Sequence, residues 1–221
     1  MNVDWEEHAD RLAHQAVNDG EPTRWFDELY SAGERGEVSM PWDRGTPNPT
    51  LSDWVARRDA AGQRALVIGC GLGRDSEYLA AVGYAVTAID VAPTAIRTVQ
   101  ERFPDSPARY RVADLLNAPE DLVGAFDLVV ESYTVQALPP TVRPQATEAV
   151  ARMVAPSGTL LVIAAARADD EPVTGPPWAL TRADVEAFAQ HGLSAVSIEH
   201  LANDADPGYY RWRAEYQTVR P

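Results

Sequence analysis

The sequence predicts an α/β fold with a doubly wound, mostly parallel seven-stranded sheet, helices on both of its faces and a C-terminal antiparallel hairpin. Three observations lead to this prediction. Residues 65–75, ALVIGCGLGRD, join an apolar strand to a helix through closely spaced glycines. Short apolar runs alternate with helical segments from residue 64 onward, as in a parallel sheet. Two final strand-like runs are joined too closely for a parallel crossover, so they predict the hairpin.

The elements follow in order along the chain. Residues 1–35 have helical character, residues 36–50 contain three prolines and two glycines and predict a loop, and residues 51–61 predict a short helix. Strands are then predicted at 64–68, 85–90, 108–113, 126–131, 159–166, 193–201 and 209–219. Helices are predicted between them at 75–82, 94–103, 143–154 and 182–191.

The composition limits the classes of function. The chain of 221 residues suits one large domain and has no apolar run long enough to span a membrane. Its net charge of −14 disfavours nucleic acid and anionic membranes as partners, which leaves a small molecule or a protein. A single cysteine, Cys70, and an acidic N-terminus unlike a signal peptide predict a cytoplasmic location.

The basic residues narrow the chemistry further. All 19 Lys and Arg positions are arginine, which excludes Schiff-base lysine chemistry and a P-loop lysine, and which together with abundant alanine predicts a GC-rich bacterial origin. The four histidines have no metal-ligand spacing, so no metal site is expected. Cys70 lies between two glycines behind an apolar strand, where a space-filling role is expected rather than a nucleophilic one.

The glycine turn, residues 69–73, predicts a nucleotide cradle. Gly69, Gly71 and Gly73 allow close backbone approach, and the helix that follows offers unpaired N–H groups. Arg74 stands where a dinucleotide fingerprint has glycine. Asp90 ends the second strand, where an acidic residue binds ribose hydroxyls in proteins that use either NAD or S-adenosylmethionine. An NAD-dependent oxidoreductase is therefore the first alternative at this point.

Motifs at the other strand ends decide between these two cofactors. The segments LVIGCGLGRDS, AIDVAP, VADL, FDLVVES and MVAPSGTLLVI occur in the order and spacing of the class I S-adenosylmethionine-dependent methyltransferases, a Rossmann-like family that this chain resembles over roughly residues 60–220. The resemblance implies a helical cap and lid segment over residues 1–60 and an S-adenosylmethionine-binding methyltransferase domain over residues 61–221, forming one structural unit.

The resemblance also implies individual roles. The three glycines would approach the amino acid part of the cofactor, Asp90 with Val91 would hold the ribose, Asp114 and the Leu115 backbone would hold the adenine, and Glu131 would flank the methionine end. Many members carry an acidic residue where this chain has Val67. The cofactor ammonium would then meet backbone carbonyls at Gly69 and Glu131, with help from Asp75.

The PWDRGTPNPTL loop together with GCGLGRD resembles the thiopurine S-methyltransferase-like branch, which acts on small thiols. In that branch an N-terminal tryptophan segment closes over the cofactor, and Trp25, Trp42 and Asp43 are the matching positions. Trp42, Tyr133 and Trp178 are expected to contact the acceptor, although each could serve only local packing.

The pKa of the acceptor group indicates which atom is methylated. A thiol with an ordinary pKa of about 8.5 supplies thiolate without a strong base, whereas a phenol with a pKa of about 10 needs one. The motifs nominate only Asp43, Glu131 and Tyr133 as bases, so S-methylation of a small thiol is the first expectation. O- or N-methylation of a small aromatic product or a quinol is the alternative. The oligomeric state is left open by the sequence.

Overall fold

The computed structural model describes residues 5–40, 42–43, 45–60, 62–173, 175–202 and 208–218. Predicted features at residues 1–4, 41, 44, 61, 203–207 and 219 lie outside the described residues. The helices are α1 (Trp5–Asn18), α2 (Arg24–Glu34), α3 (Pro49–Val55), α4 (Arg74–Ala81), α5 (Pro93–Arg102), α6 (Arg143–Arg152) and α7 (Arg182–Glu186). The strands are β1 (Arg64–Ile68), β2 (Ala85–Asp90), β3 (Arg109–Val112), β4 (Phe126–Ser132), β5 (Val154–Ala165), β6 (Leu193–Ala202) and β7 (Tyr210–Thr218).

The seven strands form one sheet in the order β3-β2-β1-β4-β5-β7-β6. Neighbours from β3 to β5 pair in parallel, and β7 pairs antiparallel with both β5 and β6. The predicted fold class is therefore confirmed, including the terminal hairpin. We call the side where the parallel strands end the carboxyl edge, and the side where they begin the amino edge.

Three predicted elements differ from the structure by more than two residues at one end. The helix predicted at 51–61 is α3, which spans Pro49–Val55. The strand expected from residue 159 begins at Val154, because Val154 pairs with Phe126 ahead of a register shift in β4. The helix expected to reach residue 191 ends at Glu186. The Ala189 N–H donates a hydrogen bond to the Glu186 carbonyl, three residues back, which tightens the chain. His191 and Gly192 then adopt positive φ.

Alternation along the strands divides the core between the two faces of the sheet. Leu66 and Ile68 pack on the face that also holds residues of α6 and α7, whereas Ala65 and Val67 pack on the face covered by α3, α4 and α5. Apolar burial on both faces is the main stabilising contribution to such a sheet. It also fixes which side chains reach the carboxyl edge.

The N-terminal helices α1 and α2 form their own apolar cluster and contact the sheet domain through α5. Asp27 on α2 accepts a hydrogen bond from the Thr94 backbone N–H at the start of α5, at 2.8 Å. The third helix, α3, packs on the sheet. The boundary predicted at residue 60, between a helical cap and the domain that follows it, stays a prediction. Within the described residues, no helix combines the length and apolar character needed to cross a membrane.

Candidate functional site

The glycine turn lies at the carboxyl edge, between β1 and α4. All three glycines have positive φ, with values of 61° at Gly69, 49° at Gly71 and 85° at Gly73. A Cβ atom at Gly69 would overlap the Thr134 side chain, and one at Gly73 would overlap Val99. These two glycines are therefore required for internal packing. The approach of all three glycines to a cofactor stays a prediction.

Gly71 faces the N-terminal segment. A Cβ atom at Gly71 would lie 2.7 Å from the Tyr30 hydroxyl and 3.9 Å from Trp42 Cδ1. Trp42 Nε1 donates a hydrogen bond to the Tyr30 hydroxyl at 3.1 Å, while the indole remains 39% exposed. The structure thus brings Trp42 to the glycine turn, as the sequence predicted. It also adds Tyr30, which the sequence analysis did not single out.

Asp90 ties the turn to the end of β2. Its Oδ2 accepts a hydrogen bond from the Gly71 N–H and its Oδ1 one from the Ala92 N–H, both at 2.9 Å. The residue is only 6% exposed, and this burial raises the pKa of its carboxyl, although the N–H donors act to lower it. Burial and nearby Asp90 together raise the pKa of the Tyr30 hydroxyl. A carboxylate and a phenol therefore stand side by side over the turn.

Four other predicted cofactor contacts lie around the same edge. Asp114 caps a single 3₁₀ turn, accepting hydrogen bonds from the Leu116 N–H at 2.9 Å and from Asn117 Nδ2 at 3.0 Å. The Leu115 side chain is buried, and Val91 is half-buried beside Asp90. Asp75 accepts a hydrogen bond from the Asn48 N–H at 2.7 Å, and burial raises the pKa of its carboxyl. Their contacts with a cofactor stay predictions.

Glu131 ends β4 as a fully buried carboxyl group, 0% exposed. Its Oε1 accepts hydrogen bonds from the Thr134 and Val135 N–H groups, each at 2.8 Å. Its Oε2 is buried and has no hydrogen-bond partner among the described residues. Burial raises the pKa of Glu131 to about 7, against the opposing effect of the two N–H donors. The carboxyl group therefore holds the turn after β4 and retains one unused acceptor.

Tyr133 lies in that turn with a φ of 60°, in the left-handed region that side chains rarely adopt. Its N–H donates a hydrogen bond to the Ile163 carbonyl at 2.8 Å, and its ring packs against the apolar cluster on the α4 face. Next to it, Thr134 Oγ1 donates to the Ile68 carbonyl at 2.9 Å. The turn is thus fixed to both β1 and β5, which places Tyr133 at the carboxyl edge as predicted.

Trp25, predicted to contact the cofactor, and Trp178, predicted to contact the acceptor, both pack at the apolar cluster of α1 and α2. Trp25 is 4% exposed in the cluster between α1 and α2, where it stacks on Phe26 with ring centroids 4.0 Å apart. Trp178 packs against the same cluster, and its N–H donates a hydrogen bond to the Gln136 carbonyl at 2.7 Å. Both side chains therefore take part in packing. Trp25 does so because the amphipathic α2 turns it toward α1 and turns Tyr30 toward the glycine turn.

Asp43, predicted as a base, lies between two arginines beside the glycine turn. Its two carboxylate oxygens accept hydrogen bonds from Arg102 Nη1 and Nη2 at 2.8 and 2.9 Å, and Arg74 Nε lies 3.8 Å away. The hydrogen bonds from Arg102 lower the pKa of the Asp43 carboxyl. A carboxylate with a lowered pKa that is already paired is a poor proton acceptor. The pairing with Arg102 therefore argues against the general-base role of Asp43, which stays a prediction.

The histidines do not enter the site. In the part of the chain that the structure describes, no group of three or more His, Cys, Asp or Glu side chains is arranged to hold a metal ion. Cys70 is buried, and burial raises the pKa of its thiol well above the ordinary value. The chemistry available at the edge is therefore that of backbone amides, two buried carboxyls and hydroxyl groups.

Comparison with known sequences gives a consistent family. A sequence model described as thiopurine S-methyltransferase matches residues 27–213. A probable thiol methyltransferase 2 of Arabidopsis thaliana is 27% identical over 193 residues, which cover 85% of this chain and 80% of that protein. A ubiquinone biosynthesis O-methyltransferase of Xanthomonas oryzae is 35% identical over 132 residues, and the match spans 54% of that protein.

Solved structures share the fold. N-methyltransferase NodS from Bradyrhizobium japonicum, solved with S-adenosylhomocysteine, has a TM-score of 0.64 at 21% identity over 86% of this chain and 98% of its own. A structure described for the conversion of a disulfide bond into a thioacetal group during echinomycin biosynthesis has a TM-score of 0.70 at 20% identity, over 87% of this chain and 91% of its own. Identities this low are informative about the fold alone.

Proposed function

Because the chain belongs to the thiopurine S-methyltransferase family, we propose that it transfers a methyl group from S-adenosylmethionine to the sulfur of a small thiol. The observation on which the proposal depends is the Asp90 carboxylate, held by the Gly71 N–H at the carboxyl edge of a parallel sheet. In open α/β sheets, ligands bind at this edge. The alternative of an NAD-dependent oxidoreductase is set aside with the family assignment.

The residues present fit the cofactor. Gly71 has no Cβ at the point where the turn faces Tyr30 and Trp42, and Asp90 offers further lone pairs to ribose hydroxyls beyond those it gives to backbone N–H groups. Asp114 and the Leu115 backbone follow β3 and would hold the adenine. Glu131 Oε2 is a buried acceptor with no partner among the described residues, and we assign it to the methionine end of the cofactor.

When bound, S-adenosylmethionine supplies an electrophilic methyl group on a sulfonium sulfur. The protein's own part is to align the acceptor in line with that methyl group and to exclude water. Tyr30 and Trp42 cover the turn, and the turn after β4 brings Tyr133 to the same edge. The displacement creates no new charge, so a dedicated oxyanion site is not required.

The state of the candidate bases favours a thiol over a phenol. Asp43 is paired with Arg102, and Glu131 is fully buried beneath its turn. A thiol ionises near neutral pH without help, since its ordinary pKa is about 8.5. The names of two relatives support a sulfur acceptor. One is the probable thiol methyltransferase 2, and the other is a thiocyanate methyltransferase 1 of Arabidopsis thaliana, 28% identical over 172 residues. The acidic surface favours neutral or cationic acceptors.

O-methylation is the second candidate. It is supported by the identity of 35% to the Xanthomonas enzyme, although that match covers only 55% of this chain. A methyl-transfer panel with thiophenol, phenol and aniline, matched in ring and size, tests the choice. We expect turnover of the thiophenol to exceed that of phenol by more than tenfold. Turnover of phenol in preference to thiophenol would assign the chain to O-methylation instead.

The setting of the enzyme is part of the proposal. We infer a cytoplasmic, bacterial enzyme from the single cysteine and from the use of arginine at every Lys and Arg position. The net charge of −14 supports a small-molecule acceptor and disfavours nucleic acid or an anionic membrane as a partner.

A further inference from the structure

Asp43 and two arginines form an ion cluster beside the glycine turn. Arg102, the last residue of α5, binds both oxygens of Asp43, and Arg74, the first residue of α4, approaches within 3.8 Å. The Asp43 and Arg102 side chains are 27% and 28% exposed, so water screens their attraction only in part. Because each arginine stands on a helix of the sheet domain, the cluster fastens residues 42–43, here called the strap, to that domain.

Arg74 is the residue that departs from the dinucleotide pattern. It follows Gly73 directly, and its guanidinium lies 5.5 Å from the Phe103 ring centroid. Its Nε is buried and, within the described residues, makes no hydrogen bond. A cation held in this way gains most from the nearby Asp43 carboxylate. The side chain that excludes a dinucleotide pattern thus contributes to holding the strap.

The strap bears directly on the turn. Trp42 precedes Asp43, and its indole N–H donates a hydrogen bond to the Tyr30 hydroxyl. That hydroxyl oxygen lies 2.7 Å from the position that a Cβ atom on Gly71 would occupy. Trp42 Cδ1 lies 3.9 Å from the same Cβ position, so a ligand atom placed against Gly71 displaces Trp42 of the strap together with Tyr30 of α2. Entry to the turn therefore requires the strap to move, and the ion cluster opposes that movement.

We propose that Asp43, Arg102 and Arg74 form an electrostatic latch that sets the rate at which cofactor enters and leaves the glycine turn. The inference rests on the proposed function, since it takes the turn to be the S-adenosylmethionine site. It assigns Asp43 a positioning role that acts through Trp42 and Tyr30. A latch raises the barrier between the open and closed forms, so its loss accelerates binding and release together.

The test is stopped-flow tryptophan fluorescence with S-adenosylhomocysteine, comparing wild type, Asp43→Asn, Arg102→Gln and the double variant. Each single variant is expected to raise both the association and the dissociation rate by about tenfold, from the typical strength of a partly exposed charged hydrogen bond. The double variant is expected to match Asp43→Asn, because that substitution alone removes the charge that both arginines contact. Raising NaCl from 0.05 to 0.5 M should accelerate wild type and leave Asp43→Asn unchanged.

Arg111→Gln is the matched control, because it breaks an exposed ion pair with Asp121 far along the chain from the strap. Its rates should equal those of wild type, and thermal unfolding checks that every variant is folded. Unchanged rates in Asp43→Asn, or a faster dissociation with unchanged association, would overturn the latch. Absence of S-adenosylhomocysteine binding by wild type would instead overturn the proposed function, and the latch with it.

Discussion

The two edges of the sheet hold their carboxylates in opposite ways. At the carboxyl edge, Asp90 and Glu131 are buried and accept hydrogen bonds from backbone N–H groups, and burial raises the pKa of both. At the amino edge, Asp127 accepts three hydrogen bonds from Arg64, which lower the pKa of its carboxyl. An acidic group held by backbone amides keeps oxygen lone pairs for a ligand, whereas Asp127 has both of its oxygens bound by Arg64.

The comparison also shows why shape alone misleads here. A cavity of about 250 Å³ opens at the amino edge, between Trp54, Arg58, Tyr84 and Asp127. The glycine turn has Tyr30 against it instead. The amino-edge cavity is lined by side chains that already pair with one another, such as Arg58 stacked on Trp54 at 3.5 Å. Carboxyl oxygens that are not paired with arginine distinguish the two edges better than cavity volume does.

The largest expected effect is loss of cofactor binding in Asp90→Asn. The substitution removes the charge and one acceptor, so two charged hydrogen bonds to ribose hydroxyls are weakened, and affinity for S-adenosylhomocysteine should fall by roughly 1000-fold. Isothermal titration calorimetry measures it. Asp127→Asn, the same change at the amino edge, should bind like wild type. Equal affinities in the two variants would refute the difference between the edges.

A smaller effect is expected in the pH dependence of stability. Glu131 has a folded-state pKa of about 7, above its unfolded value, so the native state binds its proton more tightly. Stability is then highest below the unfolded pKa and falls as pH rises toward 7, by about 3 kcal/mol in total. Glu131→Gln should remove most of this fall in urea unfolding measured between pH 4.5 and 8.

Asp127→Asn is the contrasting control for that experiment. Its folded-state pKa is lowered, so the stability that Asp127 contributes is present at neutral pH and is lost only as pH falls through the lowered value. Over the range from pH 5 to 8 the variant should follow the wild-type slope. A wild-type slope that survives in Glu131→Gln would show that another group titrates.

Gly71→Ala tests how closely Tyr30 approaches the turn. The new Cβ meets both an unfavourable φ of 49° and the Tyr30 hydroxyl, whereas Gly62→Ala has a similar φ of 74° and nothing within 4 Å. Gly71→Ala should therefore lower the free energy of unfolding by about 1 kcal/mol more than Gly62→Ala does. Adding Tyr30→Phe to each variant should close most of that gap. A gap that persists would place the obstruction elsewhere.

The sequence predicted the sheet and most of its edge for a physical reason. Strand alternation and glycine spacing are local patterns, so β2, its terminal Asp90 and the turn before α4 could be located from short windows. The roles of Asp43 and Trp25 could not. Asp43 is fixed by Arg102, 59 residues away along the chain, and no local period encodes that contact. Tyr30 was missed because a tyrosine on an amphipathic helix indicates a buried face without saying what it covers.

The smallest expected effect comes from the amino edge itself. Arg64→Met removes the hydrogen bonds from its guanidinium to Asp127, but the side chains are 55% and 37% exposed, so solvent screens much of their attraction. The free energy of unfolding should fall by less than it does in Gly71→Ala, because solvent screens the pair. Affinity for S-adenosylhomocysteine, measured alongside, should not change, because no contact of this pair reaches the carboxyl edge. A loss of affinity in Arg64→Met would mean that the two edges are coupled through β1 and β4, since those strands pair directly from Ala65 and Leu128 onward.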